Sequence, residues 1–157
     1  MTASHDTPTD QHAVATRGRD AIPEIAEAMR EIDTCMLATR AADGELHARP
    51  MSNNGKVEWD GSSWFFAPAD GPLVSEIRDD PTALTSYRAS DRFAWVALSG
   101  TAEVVEDPAA KRRNWLPELE QWFPNGPDDP GVVLIRIDAR LARWWTEQGE
   151  GAADLSA

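Results

Sequence analysis

The sequence predicts an α+β protein that is mainly β: antiparallel strands curling toward a barrel, with a few short helices. Three observations carry that prediction. Short apolar segments with a period of two recur along the chain, separated by Asp-Gly and Pro-rich turns. The helical stretches are short and begin at or next to prolines, where a missing N–H costs nothing. Gly100 interrupts the long strand-like run 92–107, as a bulge or corner of a closing barrel requires.

Taken in order, the first element is a helix capped by Asp20, with Pro23 in its first turn and Ile22, Ile25, Met29 and Ile32 at helical spacing. The period then changes. TCMLATR and ELHARPMS flank AADG, whose Asp-Gly signals a hairpin. A second strand pair, KVEW and SSWFFAP, is expected around DGS. PLVSEIRDD reads as a helix with Pro72 at its first position, followed by strands TALTSYR and RFAWVALSGTAEVVED. Asp107-Pro108 opens a helix running to about Trp115, LEQWFPNGPDDPG is a proline-studded loop, and VVLIRID and LARWW supply the final strands.

The 157 residues, 41% of them apolar, suffice for one core. No repeat or long linker divides them, so residues 19–147 are expected to form a single domain. The polar stretches 1–18 and 148–157 are expected to be flexible tails. The net charge of -12, from 27 acidic and 15 basic residues, argues against nucleic acid or an anionic membrane as partner. The densest basic cluster, KRRNW at 111–115, reads as a solvated helix face. One cysteine, Cys35, within an apolar strand-like run, reads as buried filler and suits a reducing cytoplasm. No signal-like or membrane-spanning apolar stretch is found, so a cytoplasmic location is expected.

Side-chain chemistry is sparse. His5 and His12 fall in the expected tail, leaving His47, which excludes a His-based zinc cluster and argues against a Ser-His-Asp relay. No metal site and no catalytic side chain is assigned. Neither GxxxxGK[ST] nor GxGxxG occurs. Asp128 and Asp129, beside prolines, read as turn caps. If the protein is an enzyme, a cofactor does the chemistry. The most unusual local feature is Arg49-Pro50-Met51, which puts a residue without an N–H inside a strand. It reads either as an edge device against aggregation or as the wall of a ligand site.

ARPM, WFFAP, ALSGTAEVVEDPA, NWLPELEQWFPNGPDDP and VVLIRIDARLARWW follow one another in an order that resembles the pyridoxamine 5'-phosphate oxidase-like FMN-binding split-barrel proteins, in particular the general stress protein subgroup. The resemblance covers about residues 20–146. It implies a six-stranded antiparallel split barrel, a homodimer with FMN and small-molecule substrate at the subunit interface, and a stress-related oxidoreductase passing hydride or electrons from a nicotinamide. Carried over, Arg49 reaches the phosphate or ribityl end, and Pro50, Met51 and Ser52 border the isoalloxazine ring. Phe65, Phe66, Ala67, Leu73, Arg88 and Trp145 complete the implied cofactor-binding set. The basic carboxy-terminal segment of the true oxidase is not found.

One stretch departs from the family. Ala67, Gly71 and Leu73 stand where the resemblance places a hydroxyl, a hydroxyl and a lysine on the FMN phosphate. Pro72 deletes a helix N-terminal donor and Asp70 adds a negative charge. Arg78 and Arg88 are candidate replacement anchors. Two readings follow: an FMN protein anchored differently, or a split-barrel dimer that has lost FMN phosphate binding and is non-enzymatic or takes another flavin, a deazaflavin or a small ligand. Trp144 and Trp145, as strand neighbours, must point to opposite faces, one into the barrel and one outward.

Overall fold

The computed structural model describes residues 17–53 and 58–156. The expected tail therefore lies outside the described residues up to position 16. The chain forms the antiparallel barrel that its periodicity predicts, split as the family resemblance implies but with seven strands rather than six. Strands β1 (Thr34–Arg40), β2 (Leu46–Ser52), β3 (Ser62–Pro68), β4 (Thr82–Arg88), β5 (Ala94–Val105), β6 (Val132–Thr146) and β7 (Gly149–Asp154) join in one sheet. The order is β2-β1-β4-β5-β6-β3, with β7 pairing β6. Every strand pair is antiparallel. β2 and β3 do not meet, which leaves the barrel split.

Helices α1 (Ile22–Met29) and α2 (Pro72–Asp79) contribute Ile25, Ala28, Met29, Leu73, Val74 and Ile77 to the main core, against Leu37, Phe65, Tyr87, Val96, Leu98 and Trp144. A second apolar cluster lies on the other side of β3 and β6. There Phe66, Val132 and Leu134 are covered by α3 (Pro108–Asn114), Trp115, Leu119 and Phe123. The Phe66 and Trp115 rings meet edge to face at 5.0 Å.

Several expectations change. Asp20 does not cap α1: it lies inside a 3-10 turn, Arg19–Ala21, that precedes the helix, and the cap position is Ala21. The KVEW–SSWFFAP hairpin does not form among the described residues. Glu58 and Trp59 are in no strand, Trp59 is buried in the core, and β3 pairs with β6 instead. VVLIRID and LARWW are one strand, bent rather than broken. Its register against β5 slips beside Gly100, with Ser99 opposite Leu141 and Gly100 opposite Ala139. Gly100 thus marks the bulge.

Residues 149–154, expected in the flexible tail, are strand β7, and Ala152, Ala153 and Leu155 are buried. The segment is too polar to read as a strand, but its small residues let it lie flat over Trp144. A Cβ at Gly151 would stand 2.2 Å from that indole. The basic cluster 111–115 is not one solvated face. Arg112 and Arg113 are exposed, but Lys111 is buried and donates to the Asp129 carbonyl at 2.8 Å. Asp129 itself accepts from the Gly131 N–H, and Asp128 pairs with Arg112, so both serve the turn. Cys35 is buried, and that burial pushes its thiol up to about 12, too high for a nucleophile.

Candidate functional site

Strand β2 presents alternate residues to opposite sides. His47, Arg49 and Met51 pair with Thr39, Leu37 and Cys35 of β1 on the side facing α2 and the core. Ala48, Pro50 and Ser52 pair with Ala38, Met36 and Thr34 on the outer side. Because β2 is a sheet edge, Pro50 removes no ladder donor that another strand needs.

On the inner side a compact polar cluster closes around Glu76, which α2 carries on its buried face, one turn beyond Leu73 and next to Ile77. Glu76 is only 7% exposed, yet it is fully partnered. Its Oε2 accepts from Thr39 Oγ1 at 2.5 Å and from Arg49 Nη2 at 2.9 Å, while its Oε1 lies 2.6 Å from His47 Nδ1. Arg49 also donates to Thr39 Oγ1 at 2.7 Å. Burial by itself pushes the Glu76 carboxyl up, but the hydrogen bonds from Thr39, His47 and Arg49 and the guanidinium charge outweigh it and bring its pKa to about 2. The side chains of Arg49 and His47 reach solvent, whereas Thr39 is 1% exposed.

The outer side is different in kind. Across β1, β4, β5 and β6, register aligns Ala38 with Leu84, Leu84 with Ser99 and Ser99 with Leu141; Trp95 stands opposite both Arg88 and Trp145. Met36, Leu84, Trp95 and Leu141 are exposed on this face. Two guanidinium–indole stacks flank it, Arg88 over Trp95 at 5.3 Å and Arg143 over Trp145 at 5.1 Å. Trp144 and Trp145 do point oppositely: Trp144 is buried and donates to Glu24, and Trp145 is half-buried on the outer face.

The ten residues of the implied cofactor set thus separate into three places within the chain. Arg49 and Met51 face inward toward α2. Pro50, Ser52, Arg88 and Trp145 share the outer face. Phe65, Phe66, Ala67 and Leu73 are buried in the two cores. Arg78 pairs with Glu106 and Arg88 stacks on Trp95, so neither contacts Arg49. Three members of the polar cluster, Glu76, Thr39 and His47, are outside the implied set. The signal for Glu76 was present: a carboxylate three residues after Leu73, on the apolar stripe of a helix, needs a buried partner. Among the described residues, no three His, Cys, Asp or Glu side chains group to hold a metal ion.

The family model described as pyridoxamine 5'-phosphate oxidase like matches residues 20–155. The chain belongs to this family. A protein related to general stress protein 26 from Clostridium acetobutylicum superposes with a TM-score of 0.73 over 88% of this chain and 96% of that one, and at 18% identity it supports the fold. The general stress FMN/FAD binding protein of Xanthomonas citri is 27% identical, with a TM-score of 0.68 over 81% of this chain and 89% of its own. Protein bli-3 of Neurospora crassa is 26% identical over 132 residues, which cover 78% of this chain and 63% of that protein's length. The chain therefore spans under two thirds of that curated relative.

An FMN phosphate does not fit the residues at the α2 end. Arg49 is already bridged by Glu76, so the cluster has no surplus positive charge for a dianion. Ala67 and Leu73 are buried and carry no side-chain donor, and Gly71 has no side chain. A unit negative charge about 4 Å from the Glu76 carboxylate would be repelled by roughly 4 kcal/mol at an effective dielectric of 20.

Proposed function

We propose that this protein is a homodimeric split-barrel ligand-binding member of its family that does not hold FMN through the phosphate and so does not run FMN-dependent hydride transfer. The observation that carries this reading is the Arg49–Glu76 bridge, with His47 and Thr39 on the same carboxylate. The residue that the family resemblance assigns to the phosphate already has an anion of its own. Binding of a flat, uncharged ring along Pro50 and Ser52 on β2 remains compatible with the geometry, because that edge is open.

The second reading is a flavoprotein oxidoreductase with a nicotinamide donor. It is favoured by the relative described as FMN/FAD binding, at 27% identity over most of both chains. Parallel titrations of the purified protein with FMN and with riboflavin, followed by flavin fluorescence quenching, separate the two. The expected result is a protein colourless as isolated, with FMN binding no tighter than riboflavin. FMN binding at least tenfold tighter than riboflavin, and lost in Arg49→Ala, sinks the proposal in favour of the flavoprotein.

The partner in the dimer is a second copy laid on the outer sheet face. The support is that face itself: Met36, Leu84, Trp95 and Leu141 are exposed together on a regular strand surface, and isolated soluble proteins seldom leave such a patch open. Leu84→Glu puts a charge at its centre. The expected outcome is a monomer of about half the wild-type mass by light scattering, with unchanged far-UV circular dichroism. A wild-type monomer at micromolar concentration removes the dimer.

A further inference from the structure

We propose that Glu76 is a built-in anion: its carboxylate fills, from within the chain, an oxyanion subsite made by Arg49, His47 and Thr39, and so sets the specificity of this end of the barrel against phosphate-bearing ligands. This rests on the reading above and deepens it, by attributing the exclusion of phosphate to one residue rather than to the donors missing at Ala67, Gly71 and Leu73.

The geometry is that of a bound oxyanion and its receptor. Three donors from two adjacent strands converge on the two oxygens of one carboxylate, with separations of 2.5, 2.6 and 2.9 Å. Arg49 and Thr39 are also tied to each other at 2.7 Å, and Arg49 reaches the Leu37 carbonyl at 3.4 Å. The guanidinium is therefore held by strand β1 independently of the helix. Thr39 and Glu76 are buried, while the His47 side chain is 52% exposed and that of Arg49 23% exposed, so the receptor opens to solvent on the strand side. Removing only the carboxylate leaves a cationic recess that an external oxyanion can enter. The strands supply the receptor and the helix supplies the plug.

The same face of α2 also carries Leu73, Val74 and Ile77, which pack into the main core. Those contacts hold the helix in place after truncation at one position. Arg78 pairs with Glu106 and does not replace Arg49 as a partner of Glu76.

The test is a thermal-shift comparison of the full-length wild type, Glu76→Ala, Glu76→Gln and the double variant Glu76→Ala/Arg49→Ala. Each is read in inorganic phosphate, in acetate and in sodium chloride at matched ionic strength. Phosphate stabilises most proteins generically by exclusion, so the readout is the rise beyond that of the wild type. The expected result for Glu76→Ala is an extra rise in Tm of about 3–6 °C at roughly ten times the Kd of the anion, as mass action requires. Acetate, a chemical copy of the missing group, acts in the same direction. The double variant loses the gain.

Equal rises in wild type and Glu76→Ala overturn the inference, as does a gain that survives removal of Arg49. If Glu76→Ala does not fold in any buffer, Glu76→Gln decides. It keeps the packing volume and frees Arg49 of its anionic partner, so a phosphate-dependent gain supports the inference and its absence overturns it. The outcomes stay separate from those of the functional reading. Phosphate-dependent FMN binding by the wild type defeats that reading whatever the variants do, whereas a wild type indifferent to FMN with an unresponsive Glu76→Ala defeats only the role given to Glu76.

Discussion

Gly100→Ala is expected to cost at least about 3 kcal/mol and to lower Tm by about 6 °C or more, or to prevent folding outright. A Cβ built at this position stands 1.9 Å from the Asp138 carbonyl oxygen, 2.8 Å from its carbon and 3.0 Å from the Ala139 Cα. All three are backbone atoms, so no side-chain rotation relieves the clash. Nor do the strands separate easily. The slip in register beside Gly100 is what lets β5 and β6 pair over their whole length, and the Ala139 N–H is held by the Gly61 carbonyl at 2.9 Å. The requirement is steric and owes nothing to a left-handed backbone. Gly44 is the useful contrast: its φ is +86° and nothing lies within 4 Å of its added Cβ. Gly44→Ala therefore meets only the left-handed torsional penalty, roughly 1–2 kcal/mol. Chemical denaturation of the two variants checks the order, and a Gly100→Ala protein as stable as Gly44→Ala sinks the steric account.

The elements that the sequence made legible are those whose signal is local. β4 coincides with TALTSYR, α2 begins at Pro72, and Asp107 caps α3 by accepting from the Ala110 N–H at 3.2 Å. Gly100 was legible for the same reason, since a glycine within a strand points to close backbone approach. Elements set by distant partners were not. β7 has almost no hydrophobic pattern of its own. It exists because β6 runs on to Thr146 and offers an edge on which Gly151, Ala152 and Ala153 can lie. Trp59 looked like the end of a strand because aromatic residues favour strands, but the core had room for a large plug there, and tertiary burial outweighed propensity.

The candidate site divides along the same line. Register placed Arg49 and Pro50 on β2 correctly but on opposite sides of it, so a run that reads as one motif serves two surfaces. Glu76 was missed because the only signal that separates it from the exposed acids of SEIRDD is its place on the stripe of Leu73, Val74 and Ile77, and that stripe was not followed to the carboxylate. Once Leu73, Val74 and Ile77 fix the buried face, Glu76 points inward and must find donors. The nearest strand residues with donors are Thr39, His47 and Arg49.

That arrangement gives stability a defined acid dependence. The Glu76 carboxyl titrates near 4.5 without its partners and near 2 with them. Because the folded value is the lower one, the unfolded chain takes up a proton that the folded chain refuses anywhere between these two pH values. The contribution of Glu76 is therefore complete above about pH 4.5 and is lost as pH falls toward 2, amounting to on the order of 3 kcal/mol at about 1.4 kcal/mol per unit. Other carboxylates are also held low in the folded state, among them Glu24 by Arg17 and Trp144 against the opposing effect of burial, and Asp138, where Arg136 and Ser62 outweigh burial. Their acid losses occur equally in wild type and in Glu76→Gln, so they cancel in the difference between the two. Urea unfolding at a series of pH values should show that difference constant near neutrality and shrinking by on the order of 3 kcal/mol between about pH 5 and pH 2. Curves that stay parallel through this range would mean that the Thr39, His47 and Arg49 contacts do not hold the ionised carboxylate more tightly than water does. In that case the receptor assigned to these strands has no preference for an anion.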